Sequence, residues 1–288
     1  MSNQEAKWTK EIKPKVGLFE IDFKEIWRYK DLVRMFVFRD FVTFYKQTIL
    51  GPIWFLIQPL FQAVINMFIF SSLAKIGPDG VPAILFYLSG PIVWQYFQES
   101  FTKTAGTFTD NQDIFGKVYF PRVIMPLSVI ISNLLKFAVQ LVILISFGAY
   151  FSFTDGELYF QKEIIFFPLL LVLLMFMAMG FGLLVTSLTS KYRDLKFLID
   201  FGVPLFKYVT PGIATSMAIF KDKLPNQIQW VADYNPLGYV IDAFNFMFTG
   251  AGEISLYGLT YSLVFTCLIF LSGLLVFNQT EKTFMDTV

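Results

Sequence analysis

Residues 39–59 read RDFVTFYKQTILGPIWFLIQP, and this stretch decides how the rest of the chain is interpreted. Its first half is a basic, amphipathic run. Gly51 and Pro52 then lead directly into an apolar segment of membrane-spanning length. A basic amphipathic helix lies on a membrane surface, where Arg and Lys meet lipid phosphates. We therefore expect a chain that enters the membrane from a helix on its cytoplasmic surface.

The composition of the 288-residue chain supports the same interpretation. Hydrophobic residues make up 55% of the chain, the mean hydropathy is +0.58 and charged residues are only 16%, against roughly 25% in soluble domains. A soluble fold of this composition would expose too much apolar surface to stay dispersed. Continuous apolar runs of about 20 residues cross a bilayer as helices, because a helix satisfies its own backbone hydrogen bonds. The sequence thus predicts an all-α integral membrane protein.

Six apolar segments are expected to cross the membrane as transmembrane helices. Most Lys and Arg residues lie before the first segment or in the loops after the second and fourth. Positively charged loops mark the cytoplasmic side, so both termini are predicted to be cytoplasmic. We divide the chain into an N-terminal cytoplasmic extension (1–30), an amphipathic interface helix (31–50) and a six-span membrane domain (51–288). The predicted spans are residues 52–73, 82–105, 123–151, 164–188, 196–218 and 256–277.

The segment between the fifth and sixth spans does not read as a plain loop. Short apolar pieces occur at 228–231 and 237–248, and Pro225 and Pro236 interrupt the run. Each piece is too short to span a bilayer. We expect two short re-entrant helices that dip in from the outer face, where protein or water must shield their ends. An amphipathic loop lying on the membrane surface is the alternative.

Several functions are disfavoured by what the sequence lacks. The net charge is only +1, whereas a general nucleic-acid binder carries a basic patch. The chain has no histidine, and its single cysteine, Cys267, sits in an apolar run, so no metal site is predicted. No cleavable signal peptide is expected at the N-terminus. The phosphate-binding pattern G-x-x-x-x-G-K-[ST] is absent. If the protein uses ATP, the nucleotide must therefore bind to another polypeptide.

A helical wheel divides the expected interface helix into two faces. The polar face would meet lipid phosphates, and sequence alone leaves open whether the helix is a simple anchor or a functional interface. The apolar face comprises Val33, Val37, Phe41, Phe44 and Tyr45. The polar face comprises Arg39, Asp40, Thr43, Lys46 and Gln47.

Two lysines and many aromatic residues could belong to a translocation pathway. Lys136 and Lys207 are expected deep within spans, where a charge is costly unless it is paired or faces water. They would either line a channel or pair with an acid such as Glu99. The chain also contains 36 Phe, 13 Tyr and 5 Trp residues, and aromatic faces pack against sugar rings without one fixed hydrogen-bond pattern, although most Phe side chains should simply face lipid or other helices. Our channel-lining candidates are Trp54, Phe55, Tyr87, Lys136, Phe201, Lys207 and Tyr208.

Four local motifs occur in the order typical of one transporter family. They are LGPIWFLIQP from Leu50, KVYFPR from Lys117, KYRDLKFL from Lys191 and YNPLGYVIDAF from Tyr234. With these motifs the chain resembles the membrane (permease) subunit of type-2 ABC exporters for lipid-linked polysaccharide, which carry O-antigen, capsule or teichoic-acid chains. The resemblance covers the chain from about Phe38 onward.

The resemblance implies a mechanism and a set of partners. ATP and Mg would be bound by two copies of a separate ABC ATPase subunit, and undecaprenyl-linked polysaccharide would leave through a bacterial plasma membrane. Six helices make a narrow pathway, so a homodimer around a two-fold axis is expected. The interface helix would also touch the ATPase. The ATPase-coupling helix would comprise Asn111, Asp113, Ile114, Phe115, Lys117 and Arg122.

Three other functions remain open at this point. The same fold could export a drug or a small lipid. The chain could instead be an integral membrane transferase that acts on lipid-linked sugars, with carboxylates such as Asp233 and Asp242. The lack of histidine and of a D-x-D pair disfavours that enzyme. A purely structural or channel-like scaffold would need no ATP and would tolerate loss of the coupling-loop residues.

Overall fold

The computed structural model describes residues 23–46, 51–76, 80–118, 120–192 and 194–287, and within these ranges the regular structure is entirely helical. Short 3-10 turns occur at Gly51–Ile53, Lys162–Phe166, Lys207–Val209 and Asn226–Ile228. The α-helices are α1 (Phe23–Arg28), α2 (Lys30–Lys46), α3 (Trp54–Asn66), α4 (Ala83–Ala105), α5 (Thr107–Asp110), α6 (Gln112–Phe115), α7 (Ile124–Asp155), α8 (Phe167–Thr189), α9 (Asp194–Phe206), α10 (Met217–Lys223), α11 (Trp230–Asp233), α12 (Pro236–Thr249) and α13 (Leu256–Thr287).

Four helical segments of the described chain are long and apolar enough to cross a membrane. They confirm long apolar helices at the positions of the first, third, fourth and sixth predicted spans. The segment Trp54–Leu73 joins α3 to the π-helical turns that follow it, and the segment Lys162–Thr189 joins a 3-10 turn to α8. The four segments are Trp54–Leu73, Ile124–Asp155, Lys162–Thr189 and Leu256–Glu281.

The second predicted span, α4, forms the centre of the fold. It is 23 residues long, and polar residues make up a larger share of it than of the four apolar segments. It packs against α3, α7, α8, α9 and α12, and every residue from 85 to 94 is buried. Of its polar side chains, Ser89, Ser100 and Thr104 are buried and only Lys103 is exposed, which explains how so polar a helix can occupy the interior.

The fifth predicted span is shorter than expected. Residues 196–218 were predicted as one helix, but α9 ends at Phe206, and a 3-10 turn follows to Val209. The prediction is wrong for residues 210–216, which form an irregular loop. Pro211 and Gly212 explain the break, because proline ends a helix and Gly212 has a φ of +84°, in the left-handed region.

Helices α8 and α13 are packed closely against each other. The most extensive contact between two helices joins α8 and α13. A Cβ atom on Gly180 would lie 2.9 Å from the backbone of Phe270, and one on Gly273 would lie 2.6 Å from the Gly180 carbonyl oxygen. Small residues allow such close approach between membrane helices, where van der Waals contact drives association.

Helices fill most of the segment between the fifth and sixth spans, as expected. The predicted piece at 237–248 lies within α12, and the piece at 228–231 is divided between a 3-10 turn and α11. Asn235 caps α12, because its side chain accepts a hydrogen bond from the Gly238 backbone N–H at 3.1 Å.

A helix, α2, lies where the interface helix was expected, but its buried face differs from the prediction. Val33 is buried as predicted, whereas Phe36 and Val42 are buried although we did not place them on the apolar face. Phe36 packs against Phe120 with ring centroids 5.8 Å apart. The observed buried face is therefore rotated relative to the predicted apolar face, because α2 packs against α7. The side chains of Phe44 and Tyr45 lie outside the described part of the chain.

Candidate coupling and translocation sites

The predicted coupling helix is a pair of single helical turns, α5 and α6, joined at Asn111. The Asn111 side chain donates a hydrogen bond to the Thr107 carbonyl oxygen at 2.9 Å, which ties the two turns together. Asp113 and Lys117 are exposed and Ile114 is half-buried. Exposed charges of opposite sign at one loop tip form a surface that a complementary partner could recognise.

Two of the predicted coupling residues point inward. Phe115 is buried, and its ring centroid lies 5.6 Å from that of Phe120. Arg122 is only 9% exposed, and its guanidinium donates a hydrogen bond to the Glu281 carbonyl oxygen at 2.6 Å. Direct contact of these two side chains with a separate subunit therefore conflicts with their burial.

We call residues 106–123, which connect α4 to α7, the coupling loop. This loop also contacts the fourth and fifth predicted spans. Lys196 at the start of α9 forms an ion pair with Asp110. The Thr189 hydroxyl at the end of α8 donates a hydrogen bond to the Ala105 carbonyl oxygen at 2.8 Å. The loop and the adjoining end of α4 thus contact the ends of two other predicted spans, so the loop is not an isolated connector.

The polar side of α2 is exposed where it is described. Arg39, Thr43 and Lys46 are exposed, and Asp40 is half-buried. Arg39 donates to the Asp40 carboxylate at 2.8 Å and lies over the Phe36 ring at 4.8 Å. The predicted interface residue Gln47 lies outside the described residues.

A polar cluster joins α4 to α7, and Lys136 belongs to it. The Lys136 ammonium lies 2.7 Å from the Glu99 carboxylate, and its side chain is only 11% exposed. Of the two alternatives for Lys136, the ion pair with Glu99 is confirmed. Lys103 approaches the same carboxylate at 3.7 Å. Pairing offsets the cost of placing these charges within a membrane protein.

Amide side chains extend this cluster, and sequence reasoning missed them. Gln95 donates to Glu99 at 2.9 Å and accepts from Gln140 at 3.1 Å. Asn133 donates to the Ser100 hydroxyl at 3.2 Å. The pattern was available: residues 95, 99 and 103 share one face of α4, and residues 133, 136 and 140 share one face of α7, by helical spacing.

The remaining channel-lining candidates fall into two groups. Phe55 and Tyr87 are buried within a single chain. Phe55 packs against Phe41 at 6.0 Å, and the Tyr87 hydroxyl donates to the Ile76 carbonyl oxygen at 2.8 Å. Their predicted lining role conflicts with this burial, because both rings are used in internal packing.

The other candidates lie on α3, on α9 and on the 3-10 turn that follows α9. Trp54 is 42% exposed, Phe201 is 72% exposed and Tyr208 is 67% exposed. Lys207 is half-buried, and none of the described residues forms an ion pair or a hydrogen bond with its ammonium group. Within α9, all of whose residues are described, no side chain is buried. The exposed side chains of α9 and of the 3-10 turn after it therefore include aromatic residues beside the basic side chain of Lys207.

A second polar cluster fastens the loop at 210–216 between α4 and α12. Asn245 is buried, donates to the Gly212 carbonyl oxygen at 2.6 Å and accepts from the Ser89 hydroxyl at 2.7 Å. A Cβ atom on Gly90 would overlap the Gly212 carbonyl oxygen. This loop is thus held in one position by close backbone packing and by one buried amide.

The carboxylates that could have suggested an enzyme are engaged in structural contacts. Asp242 is 1% exposed, and its two oxygens accept from the backbone N–H groups of Met217 and Glu253, each at 3.1 Å. Asp233 pairs with Lys221 at 2.6 Å. Among the described residues, no group of His, Cys, Asp and Glu side chains could hold a metal ion. This geometry does not favour acid–base chemistry at Asp233 or Asp242.

These helices and buried polar clusters define a multi-pass helical membrane protein. The chain belongs to the ABC-2 type transporter family, whose profile matches residues 31–249. It is similar to two proteins from Klebsiella pneumoniae named O-antigen export system permease protein RfbA, at 25% and 27% identity. Each match covers 89% of this chain and 94% of the relative. A protein of the same name from Myxococcus xanthus is 22% identical over 65% of this chain and 70% of its own length.

Proposed function

We propose that this chain is the permease subunit of an ATP-driven exporter that moves an undecaprenyl-linked polysaccharide of the O-antigen type across the bacterial plasma membrane. The observation that carries this proposal is the match to O-antigen export permeases over 94% of their length. ATP and Mg would bind to two copies of a separate nucleotide-binding subunit. This chain would supply the pathway and perform no bond chemistry.

The proposal includes six spans, with both termini in the cytoplasm. The length of α4, 23 residues, corresponds to about 34 Å, which is enough to cross the hydrocarbon core. Together α9 and its 3-10 turn reach less far, and the loop at 210–216 with α10, α11 and α12 would complete the crossing as a re-entrant outer element. The distribution of Lys and Arg supports this orientation.

A homodimer would place the conduit at the exposed faces of α3 and α9. Trp54, Phe201, Lys207 and Tyr208 are the lining residues that the structure leaves available, since none of them is buried in a single chain. Aromatic rings would offer a surface on which a long glycan slides. The Lys207 ammonium would attract the anionic phosphate of the lipid carrier.

The ATPase would contact the exposed part of the coupling loop. Asp113 and Lys117 offer charges to it, Asn111 and Ile114 shape the turn, and α2 would add Arg39, Thr43 and Lys46. Motion of the ATPase would then press on this loop and on α2. The copies would separate along the conduit and the polymer would pass outward.

The proposal is tested by reversing the charges at the loop tip. The variant Asp113→Lys with Lys117→Glu is co-expressed with the ATPase encoded beside this gene, and complex formation, ATPase activity and polymer export are measured. We expect a folded permease whose coupled ATPase activity and export collapse. The matched control is Lys191→Glu with Asp194→Lys, an exposed pair on another predicted cytoplasmic turn, which should leave both activities unchanged. Failure of the wild-type chain to bind the ATPase would contradict the proposal.

The same assay separates the rival functions. An exporter of drugs or small lipids would couple to the ATPase but would not move the polymer. A transferase acting on lipid-linked sugars would change the glycan without an ATPase, and a scaffold would tolerate the charge reversal.

A further inference from the structure

Arg122 links two parts of the chain that are far apart in sequence. It lies in the coupling loop just before α7, whereas Glu281 lies near the end of α13. The Arg122 guanidinium donates to the Glu281 backbone carbonyl at 2.6 Å, and the Arg122 backbone N–H lies 3.4 Å from a carboxylate oxygen of the same residue. A backbone carbonyl oxygen has two lone pairs, so the Glu281 oxygen can accept from Arg122 while α13 continues to Thr287.

Aromatic rings enclose this contact. The guanidinium lies over the rings of Phe108 and Phe115, at 5.9 Å and 5.6 Å from their centroids. Phe108 stacks on Phe277 of α13 with centroids 5.0 Å apart. A planar guanidinium can stack on rings and donate hydrogen bonds at its edge at the same time, which an ammonium cannot do.

The arrangement joins the two ends of the described chain through the coupling loop. Phe115 contacts Phe120, and Phe120 contacts Phe36 of α2. We define the junction as Phe36, Phe108, Phe115, Phe120 and Phe277. All of its rings are buried. Close-packed cores transmit displacement because they deform little.

We propose that Arg122 is a positioning residue that locks the C-terminal end of α13 to the coupling loop, so that the loop and α13 move as one body when the ATPase pushes. Force would then enter the membrane through α13 as well as through α7. This inference rests on the proposed function, since it needs an ATPase partner, and it assigns Arg122 to the inside of the permease and not to the subunit interface.

The first test removes the lock. Arg122→Ala and Arg122→Lys are compared with the wild type for assembly with the ATPase, ATPase activity and polymer export. We expect both complexes to assemble. The amount of polymer exported per ATP hydrolysed should fall by roughly two- to thirtyfold. Arg122→Lys should not restore coupled export, because a lysine ammonium lacks the planar guanidinium group. Arg28→Ala is the matched control, because Arg28 is exposed on α1.

The second test replaces the lock with a removable covalent link. Phe108→Cys and Phe277→Cys are introduced together with Cys267→Ala, and a short bis-methanethiosulfonate joins the two new thiols. We expect the linked permease to keep exporting, and the link to restore export in the Arg122→Ala background until a reductant removes it. A chain that ends after Thr280 lacks the acceptor carbonyl and should show the Arg122→Ala defect.

The outcomes distinguish this inference from the proposed function. If the wild type binds no ATPase and moves no polymer, the proposed function fails. A different result overturns only this inference. In that case the wild type exports normally, Arg122→Ala couples as well as the wild type, and the Phe108–Phe277 link abolishes export. The loop would then move separately from α13.

Discussion

Helices α4 and α9 are neighbours in the fold but are built in opposite ways. Helix α4 is polar for a membrane helix and is buried without interruption from residue 85 to residue 94. Helix α9 is strongly apolar along much of its length, yet none of its residues is buried, and Phe197, Leu198 and Phe201 are all more than 60% exposed. The more polar helix is therefore inside and the helix with the large exposed rings is outside.

The difference follows from the solvent on each side. A membrane helix gains little from hiding apolar side chains, since lipid is as apolar as leucine, whereas its polar groups need protein partners. Helix α4 finds these partners in α7 and α12, through Glu99 with Lys136 and through Ser89 with Asn245. The exposed face of α9 has no such internal requirement, so it remains available for lipid, for a second copy or for a passing substrate.

The largest expected contrast is between two phenylalanines. Phe86 on α4 is 0% exposed and Phe201 on α9 is 72% exposed. Phe86→Ala should lower the free energy of unfolding by about 4 kcal/mol, because it leaves a cavity in a close-packed core. Phe201→Ala should change it by less than about 0.5 kcal/mol. SDS titration in mixed micelles measures both, and an equal loss for the two variants would remove the distinction between the helices.

A smaller effect is expected when the buried ion pair loses one partner. Lys136→Met should cost about 3 kcal/mol, because it leaves Glu99 without its nearest cation. Adding Glu99→Gln should restore most of this loss. Lys103→Met is the control, since Lys103 is 49% exposed and lies 3.7 Å from the same carboxylate, and it should cost less than about 1 kcal/mol. A double variant no more stable than Lys136→Met would show that the charges are not coupled.

The smallest effect concerns two glycines. Gly90→Ala on α4 should cost about 2 kcal/mol, because its Cβ would overlap the Gly212 carbonyl oxygen and the backbone must shift. A Cβ atom on Gly202 of α9 meets nothing within 4 Å, so Gly202→Ala should stabilise the helix by up to about 1 kcal/mol. The same titration gives both values, and a destabilised Gly202→Ala would mean that α9 is packed more tightly than described.

Local sequence patterns predicted much of the fold. Run length found the four apolar spans, and interrupted apolar pieces predicted α12. Pro211 and Gly212, which end the helical region, are the local signal for a shorter fifth span. Burial could not be read from hydropathy, because α4 is largely buried although it is one of the more polar helices.

The candidate sites were predicted less completely, for a physical reason. The family resemblance placed Asp113, Lys117 and Arg122 together on one coupling helix. Arg122 points inward because it donates a hydrogen bond to the Glu281 carbonyl oxygen. Glu281 lies 159 residues away in sequence, so no local pattern could predict this contact. For Lys136, local reasoning left two alternatives, and only the packing of α4 against α7 decided between them.

The most direct test of the account is transport by the purified complex. The permease and its ATPase are reconstituted into sealed vesicles, and lipid-linked O-antigen polysaccharide is supplied on the side that carries the ATPase. We predict that polymer reaches the opposite side only with ATP and Mg, and that the charge-reversed coupling loop abolishes this movement while the Lys191 and Asp194 control does not. Polymer that stays in place while the assembled complex hydrolyses ATP would contradict the account.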